Sequence, residues 1–388
     1  MKIALLGSRG IPARYSGVET CVENLSTRLA ARGHDVTVYC RSHMAEGRDT
    51  TYHGVRLVTL PTIRNKFLDT FAHTLLCTVH MVLGRDRGRP DAALYFIAGN
   101  SPFVGLARLG RIPTVMNVDG LDSQRAKWGR NARRYLRLAE WLSSILPNRT
   151  VTDSRIVQQL YRERFGRPST FIAYGAELPP SPGTAYLDSF GLQSRGYILM
   201  VGRLVPENGA HVLIDAYRQL ETNLPLVIVG DAPYEDTYVA SLRTSAAPKV
   251  VFTGYVFGAG YHQLLRHARL FVLASEVGGT HPVLIEAMAA GLPIVVNDHA
   301  PNMETLGAAG LSYDGREGAP GLARMMRRAL DDTPLSDDLG AQARTRAQTL
   351  YSWDAVADAY ERLCIDVARG RGARPVAEAR HDTPADAI

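Results

Sequence analysis

The chain has few cysteines and no long hydrophobic run. Its 388 residues include four cysteines, which are scattered without the spacing of metal ligands. No apolar stretch reaches the ~18 residues of a transmembrane helix, and the first apolar run meets Gly7 too soon for a signal peptide. These absences predict a cytoplasmic protein with free thiols.

Motifs that mark common nucleotide and metal sites are absent as well. No Asp-x-Asp pair is present to hold a divalent metal against a diphosphate. The sequence contains no Walker loop and no Gly-x-Gly-x-x-Gly fingerprint, which argues against a dinucleotide oxidoreductase. Neither a zinc pattern nor an RNA-binding aromatic motif is found. We therefore expect no metal, no resident cofactor and no nucleic-acid partner.

The sequence does have a basic charge and a repeated alternation of strand-like and helix-like segments. The net charge of +6 fits an anionic ligand or an anionic membrane surface. The alternation predicts an α/β protein with mostly parallel sheets that helices cover on both faces. It breaks at the proline-rich stretch 179–183 and then restarts.

This break divides the chain into a first domain, 1–183, and a second domain, 184–352. A helix at about 353–367 closes the ordered chain. The tail 368–388 is rich in Arg, Ala, Pro and Asp without apolar periodicity, and this composition predicts disorder.

Each half opens with an apolar strand and a loop suited to phosphate. The loops are 7–10 in the first half and 202–209 in the second. Arg203 follows directly at the carboxyl end of its strand, where a guanidinium can neutralise a phosphate with paired hydrogen bonds. The alternative is a surface arginine that caps its loop.

A segment of the second half has the form of an anion site at a helix N-terminus. Gly278, Gly279 and Thr280 precede Pro282, which suits the first turn of a helix. Backbone N–H groups at such an end are open to an anion. Glu286 lies one turn further, among apolar residues, where two ribose hydroxyls would satisfy its carboxylate. Alternatively, it bonds to the neighbouring backbone.

Three positions of the first half are also candidates. Gly17 lets a sugar or phosphate approach the backbone because it has no side chain. Glu19 belongs to a capping-box pattern that begins at Ser16, so helix capping and substrate contact are equally open. Asp119 ends a strand, where it either accepts a proton from an acceptor hydroxyl or forms a turn before Gly120.

Residues 125–146 predict a long amphipathic helix. Opposite its apolar face, Lys127, Arg130, Arg134 and Arg137 recur in steps of three or four. The usual explanation is a solvated face. The alternative is contact with anionic lipid or with an acceptor that carries a diphosphate.

Together these segments resemble the retaining glycosyltransferases of family 4, which have the GT-B fold: two Rossmann-like, doubly wound domains that face a central cleft. The resemblance covers nearly the whole ordered chain. The opening stretch is similar to that of bacterial β-1,4-rhamnosyltransferases that act on a lipid-linked sugar. The motifs that carry the resemblance are 7–20, 69–74, 117–122, 127–129, 202–208 and 278–282.

The resemblance implies roles for these residues. Arg203 contacts the donor diphosphate, Glu286 holds the nucleotide ribose, and Gly17 approaches the phosphates from the other domain. The terminal helix crosses back onto the first domain. The catalytic candidates are Asp119, Arg203 and Asn208. The donor-binding candidates are Gly17, Arg203, Gly278, Gly279, Thr280 and Glu286. The candidates for phosphate or acceptor contacts are Arg9, Arg14, Glu19 and His73.

The chain departs from the family pattern at three positions. Asn208 replaces the usual lysine, Gly278 replaces the first of two glutamates, and Asp119 stands where a histidine is often found. The first change removes a positive charge from the leaving-group site. Arg9 or Arg14 is placed to supply it from across the cleft.

The sequence thus predicts a metal-independent, retaining glycosyltransferase. It would move a hexose or deoxyhexose, with dTDP-rhamnose as the preferred donor, to a hydroxyl of a carbohydrate or lipid-linked sugar. We expect it in the cytoplasm, in peripheral contact with the inner membrane surface. Three alternatives stay open: a tailoring transferase for a soluble natural product, a non-catalytic protein that binds sugar nucleotides, and a sugar-nucleotide epimerase.

Overall fold

The computed structural model describes residues 1–13, 17–43, 50–63, 69–84, 88–124, 128–180, 183–232 and 236–370. The strands are β1 (Lys2–Leu6), β2 (Asp35–Arg41), β3 (Thr51–Tyr52), β4 (Val55–Leu60), β5 (Ala92–Phe96), β6 (Thr114–Val118), β7 (Arg149–Thr152), β8 (Thr170–Phe171), β9 (Ile198–Val201), β10 (Leu226–Val229), β11 (Val250–Gly254), β12 (Leu270–Leu273), β13 (Ile294–Asn297) and β14 (Leu311–Tyr313). The helices are α1 (Gly17–Ala31), α2 (Asp69–Val82), α3 (Ser101–Leu109), α4 (Arg130–Ile145), α5 (Arg155–Phe165), α6 (Ala185–Asp188), α7 (Ala210–Tyr217), α8 (Asp236–Ser245), α9 (Gly258–Arg266), α10 (Pro282–Ala290), α11 (Ala300–Leu306), α12 (Gly318–Asp331), α13 (Thr333–Leu350) and α14 (Trp353–Ala368).

The strands form two separate sheets. The first has the order β3-β4-β2-β1-β5-β6-β7-β8 and the second β11-β10-β9-β12-β13-β14. Neighbouring strands are parallel, except that β3 pairs antiparallel with β4. In each sheet the first long strand, β1 or β9, lies in the middle, and the strand order reverses beside it. This is the topology of doubly wound nucleotide-binding domains, so the predicted fold of two Rossmann-like parallel-sheet domains is confirmed.

Helix α1 shows how the sequence pattern positions these elements. Val18, Val22, Leu25 and Leu29 recur at helical spacing, and all four are buried in the core beside the first sheet. Burial of each such side chain contributes about 1.5–3 kcal/mol. The helix therefore lies flat on the sheet, and its N-terminus reaches the carboxyl ends of the strands.

The predicted boundary near residue 183 falls between the two sheets, since the first sheet ends with β8 and the second begins with β9. Helix α14 then crosses back onto the first domain. There the Asn117 amide donates to the Tyr360 hydroxyl at 2.7 Å, and Arg28 Nε donates to Asp354 at 3.0 Å. The predicted disordered tail begins at 368, but residues 371–388 lie outside the described part. None of the helices in the described ranges is both long and apolar enough to span a bilayer.

Candidate active site

A cavity of about 1880 Å³ lies between the two domains. It opens at the carboxyl ends of the strands in both sheets, where open α/β folds bind their ligands. The structure brings most of the predicted residues together on its walls. The predicted residues that line it are Arg9, Gly17, Glu19, Asp119, Arg203, Asn208, Gly278, Gly279, Thr280 and Glu286.

The N-termini of two helices from different domains meet at this cavity. Helix α1 begins at Gly17 and α10 begins at Pro282. A Cβ atom on Gly17 would lie only 2.4 Å from Pro282 Cγ, so a residue without a side chain is required there. Both helix dipoles thus place their positive ends beside the same space, which favours a bound anion.

Arg203 lies half-buried on the cavity wall, just beyond the end of β9. Among the described residues, no hydrogen bond or ion pair engages its guanidinium. A partly desolvated cation without a protein counterion is suited to an anionic ligand. The geometry therefore does not show the alternative, in which the Arg203 side chain caps its own loop.

The Asn208 side chain makes its hydrogen bonds within the Arg203 loop and to the segment after β12. Its side-chain amide donates to the Arg203 carbonyl at 2.8 Å, and its oxygen accepts from the Ser275 hydroxyl at 3.4 Å. These contacts tie the Arg203 loop to the segment that follows β12. We therefore describe Asn208 as a positioning residue.

Gly278, Gly279 and Thr280, which lie shortly before α10, do not all face an anion as expected. The N–H of Thr280 donates to Asp153 Oδ2 at 3.1 Å, and the Thr280 hydroxyl donates to the Asp153 carbonyl at 2.8 Å. Gly279 lies so close to the first domain that a Cβ atom would meet Asp153 at 2.7 Å. The expectation of an open Thr280 amide is therefore wrong, because the other domain already satisfies it.

Gly278 stands where the family pattern has a glutamate. Its φ of +129° lies in the region that favours glycine. Its carbonyl contacts the His299 Nε2 at 3.2 Å. The nearby Glu276 is exposed and does not line the cavity. The backbone, rather than a carboxylate, is therefore what position 278 presents to the site.

Glu286 lies on the cavity wall one turn into α10 and accepts a hydrogen bond from the Tyr261 hydroxyl. Burial raises the pKa of Glu286 to about 7, and the hydrogen bond from Tyr261 opposes this shift. Its remaining acceptor capacity faces the cavity, so two hydroxyl groups of a ligand would lower the cost of its ionised form.

Asp119 lies beyond β6, and a second aspartate, Asp153, lies beyond the neighbouring β7. Burial, followed by the charge of Asp119, raises the pKa of Asp153 well above its ordinary value. Asp119 itself lines the cavity and is only partly buried. Of this acidic pair, Asp119 faces the ligand space, whereas Asp153 joins the domains.

Arg9 and Glu19 meet on the first-domain wall. The Glu19 carboxylate accepts from the Arg9 backbone N–H at 3.0 Å, which ties the loop after β1 to the start of α1. Both residues also line the cavity. Of the other predicted capping partners and phosphate contacts, Ser16 and Arg14 lie outside the described residues.

The structure places His73 away from the cavity. Its ring is fully buried on α2, and Nε2 lies 3.1 Å from the Cys40 carbonyl. Burial lowers the pKa of His73 to about 4, and the nearby Arg41 adds to the effect. The expectation that His73 contacts phosphate or acceptor is therefore not met. Its neighbours Asp69, Thr70 and Phe71 line the cavity instead.

Sequence reasoning missed an aromatic corner of the second domain. Tyr255 and Phe257 follow β11, and their rings stack with centroids 5.9 Å apart. Both line the cavity near Gly230, where a Cβ atom would collide with the Gly202 carbonyl. The position of this loop after a strand was the available signal, but no local pattern indicates that the loop bends into the cleft.

A further contact between the domains was also missed. Glu304 on α11 accepts from the backbone N–H groups of Arg155 and Ile156 at 2.7 and 3.1 Å. A carboxylate from the second domain thus caps the N-terminus of α5 in the first. Among the residues that the structure describes, no three His, Cys, Asp or Glu side chains are grouped closely enough to hold a metal ion.

Comparison with known proteins gives consistent matches to both halves. Residues 15–175 match the family model of Glycosyltransferase Family 4, and residues 188–346 match that of Glycosyl transferases group 1. The glycogen synthase of Mycobacterium tuberculosis is 28% identical over 95% of this chain and 96% of its own length.

Two further matches are a relative that is similar over a third of the chain and a solved structure with a similar fold. A Campylobacter jejuni N-acetylgalactosaminyltransferase that acts on a diphospho-undecaprenol-linked sugar is 32% identical, over 33% of this chain and 34% of its own. The crystal structure of Anabaena Alr3699/HepE in complex with UDP-glucose superposes with a TM-score of 0.76 and 19% identity, over 94% of this chain and 100% of that chain. The two matched family models follow one another along the chain, and by them the chain belongs to the group 1, family 4 glycosyltransferases. Its two parallel-sheet domains and the likeness to the HepE structure show the GT-B fold.

Proposed function

We propose that this glycosyltransferase moves a hexose or deoxyhexose with retention, without a metal, from a nucleoside diphosphate sugar to a lipid-linked carbohydrate acceptor. The observation that carries the proposal is the convergence of two helix N-termini and the unpaired Arg203 guanidinium on one cavity. These groups supply positive charge where a diphosphate leaving group would become more negative.

The remaining lining residues fit the other parts of such a donor. Glu286 offers carboxylate oxygens to two vicinal ribose hydroxyls, and Tyr255 and Phe257 offer ring faces to a base. Asp119 lies on the opposite wall, where an acceptor hydroxyl would enter. Closure of the two domains around both substrates would exclude water and hold the reacting atoms in line.

Retention is proposed as a front-face displacement. The bond between the anomeric carbon and the diphosphate oxygen breaks as the acceptor oxygen bonds to the same face, and the acceptor proton passes to the leaving phosphate. Position 278, which is a glutamate in the general family pattern, has no side chain here. This favours a route without a carboxylate nucleophile.

The donor is tested by thermal shift with a panel that includes dTDP-rhamnose, UDP-glucose and GDP-mannose, since a ligand that binds the folded state raises its apparent stability. We propose dTDP-rhamnose because of the opening stretch 7–20. A larger shift with another sugar nucleotide would replace that donor. No shift with any member would contradict the proposed function.

Turnover then separates the alternatives. Product formed only with a lipid-linked acceptor supports the proposal, whereas product on a soluble aglycone supports a tailoring transferase. Saturable donor binding without release of nucleoside diphosphate would indicate a binding protein, and donor turnover without acceptor would indicate an epimerase.

We expect full activity in excess EDTA, because helix termini and Arg203 replace the charge that a divalent cation supplies in other sites. Initial rates before and after chelation measure this. Activity that disappears with EDTA and returns with Mg²⁺ would contradict the metal-free proposal.

A further inference from the structure

The outward face of α2 is entirely apolar. Within α2 and the residue after it, no polar side chain is exposed. The exposed residues are Phe71, Leu75, Leu76, Val79 and Leu83. Their spacing places them on one face, opposite the buried side of the helix. A surface helix in water normally exposes charged and polar residues on this face, so its composition requires an explanation.

Two neighbouring helices continue this face. Helix α3 packs between α2 and α4, and the Phe71 ring lies 4.7 Å from that of Phe103 and 6.0 Å from that of Tyr135. On α3, Leu109 is 83% exposed, and on α4, Trp141 is 47% exposed. We name the whole the α2–α4 surface. Its exposed apolar residues are Phe71, Leu75, Leu76, Val79, Leu83, Leu106, Leu109, Leu138 and Trp141.

Arginines accompany the apolar residues on the same helices. The exposed arginines on and just after these helices are Arg108, Arg111, Arg130, Arg134 and Arg137. None of the exposed residues of α2, α3 and α4 is acidic. The carboxylate of Glu140 on α4 is buried and accepts from Ser123, and Asp69 on α2 pairs with Arg41. The surface is therefore both apolar and positively charged.

We propose that the α2–α4 surface docks on an anionic lipid bilayer. Leucine, phenylalanine and tryptophan side chains enter the boundary between headgroups and acyl chains, and arginines among them bind lipid phosphates. The absence of exposed carboxylates on these helices removes the repulsion that would oppose contact with anionic headgroups. Charge complementarity thus favours a bilayer over a protein partner with an apolar face.

The α2–α4 surface is continuous with the first-domain wall of the cavity. Phe71 and Tyr135 belong to helices of this surface and also line the cavity. A lipid-linked acceptor held in the bilayer would therefore reach the cleft along α2 and α4 without leaving the membrane surface. This consequence rests on the proposed function, whereas bilayer docking itself does not.

Vesicle flotation of the full-length protein tests the proposal. The vesicles contain phosphatidylcholine alone, or phosphatidylcholine with one quarter phosphatidylglycerol. The apolar variant is Leu76→Gln/Leu83→Gln, and its control is Leu350→Gln, an exposed leucine of the second domain. The charge variant is Arg134→Gln/Arg137→Gln, and its control is Arg327→Gln/Arg328→Gln on α12, with the same change in charge.

The parent protein and both controls should float with the anionic vesicles. The charge variant should bind them about 30-fold more weakly, and the apolar variant at least about tenfold more weakly. Thermal unfolding and the thermal shift with a sugar nucleotide should stay unchanged in all variants, since these side chains are exposed. This last readout separates a failure of docking from a failure of the proposed function.

Three results would overturn the proposal. The first is a parent protein that floats with neither vesicle type. The second is equal loss of binding in the controls. The third is light scattering that shows a dimer in the parent and a monomer in the apolar variant without any vesicle binding, because the surface would then join two copies of the chain.

Discussion

The two walls of the cleft differ in the groups that they present to a ligand. The wall from the second domain has glycines at 202, 230, 278 and 279, and its charged side chains there are Arg203 and Glu286, beside the rings of Tyr255 and Phe257. The wall from the first domain carries charged and aromatic side chains, among them Asp119, Trp128 and Tyr135. The second-domain wall thus adds close backbone groups to a few side chains, whereas the first-domain wall presents mainly side chains, which substitution can change without altering the backbone.

This difference matches the chemistry expected of the two substrates. Every nucleoside diphosphate sugar carries the same anionic diphosphate, which helix termini and close backbone contacts recognise in the same way in many proteins. An acceptor varies between enzymes, and its recognition depends on side chains. We therefore expect substitutions on the second-domain wall to affect donor and turnover together, and those on the first-domain wall to affect the acceptor.

Arg203→Ala should produce the largest effect. Loss of the unpaired guanidinium removes a charge that would stabilise the departing diphosphate, so turnover should fall about 100-fold or more. Initial rates at saturating donor measure this effect. Arg218→Ala is the matched control, because Arg218 is exposed on the same domain and pairs with Asp215. Near-normal turnover in Arg203→Ala would exclude the guanidinium from the site.

Gly17→Ala tests the contact between the walls. The added methyl group would meet Pro282 Cγ at 2.4 Å, and a proline ring cannot move aside as a long side chain can. The two helix N-termini would separate, and kcat/KM should fall about 10- to 100-fold because reacting atoms are misplaced by an ångström or less. Gly129→Ala is the control, since no atom lies within 4 Å of its added Cβ. Equal activity of the two variants would show that the helix ends need not meet.

The sequence predicted the second-domain wall better than the first. Buried strands such as Ile198–Val201 have near-continuous apolar runs, and each turn after them contains glycine or proline, so the loops at 202 and 278 were located correctly. The local pattern was sufficient for these two loops because each of them follows a buried apolar strand. What it could not show was that Asp153 of the other domain occupies the Thr280 amide.

The first-domain wall was harder to predict because its contacts are long-range. Strand β7 is only Arg149–Thr152, with a single buried aliphatic residue, so nothing indicated that Asp153 follows a strand. His73 is polar and was expected in the cleft, yet helix α2 turns it inward to the Cys40 carbonyl. The apolar outward face of α2 was likewise hard to predict, because periodicity alone does not show which side of a helix packs against the rest of the domain.

Trp128→Ala should affect the acceptor and leave the donor unchanged. Trp128 lines the first-domain wall, where removal of its indole takes away apolar contact area. We expect KM for the acceptor to rise about tenfold, while the Kd of the sugar nucleotide, measured by calorimetry, stays within about twofold. A larger change in donor affinity than in acceptor KM would contradict the assignment of this wall to the acceptor.

Glu286→Gln should have the smallest effect, visible in the pH dependence. The pKa of about 7 for Glu286 means that its carboxyl ionises between pH 6 and 8, and the ionised form accepts ribose hydroxyls better. Donor affinity should therefore rise about fivefold across this range in the parent protein and stay flat in the variant. A nucleotide sugar is the probe, because its diphosphate has no proton to lose near neutrality. Identical pH profiles would place Glu286 outside the ribose site.

Ionisation of Glu286 should raise donor affinity but lower the free energy of unfolding. Its folded pKa of about 7 lies above the ordinary 4.5, so the folded protein keeps a proton that the unfolded chain has released. The contribution of the protonated Glu286 to the free energy of unfolding is fully present below about pH 4.5. It is lost as the pH rises through 7 and the buried carboxyl ionises. Without donor, Glu286→Gln should thus be more stable than the parent at pH 8 by roughly 1–2 kcal/mol, the full shift being reduced because the side chain is partly exposed. Urea titrations at pH 5 and pH 8 measure this difference, and a variant that is less stable than the parent at pH 8 would show that the carboxylate is already satisfied by the protein.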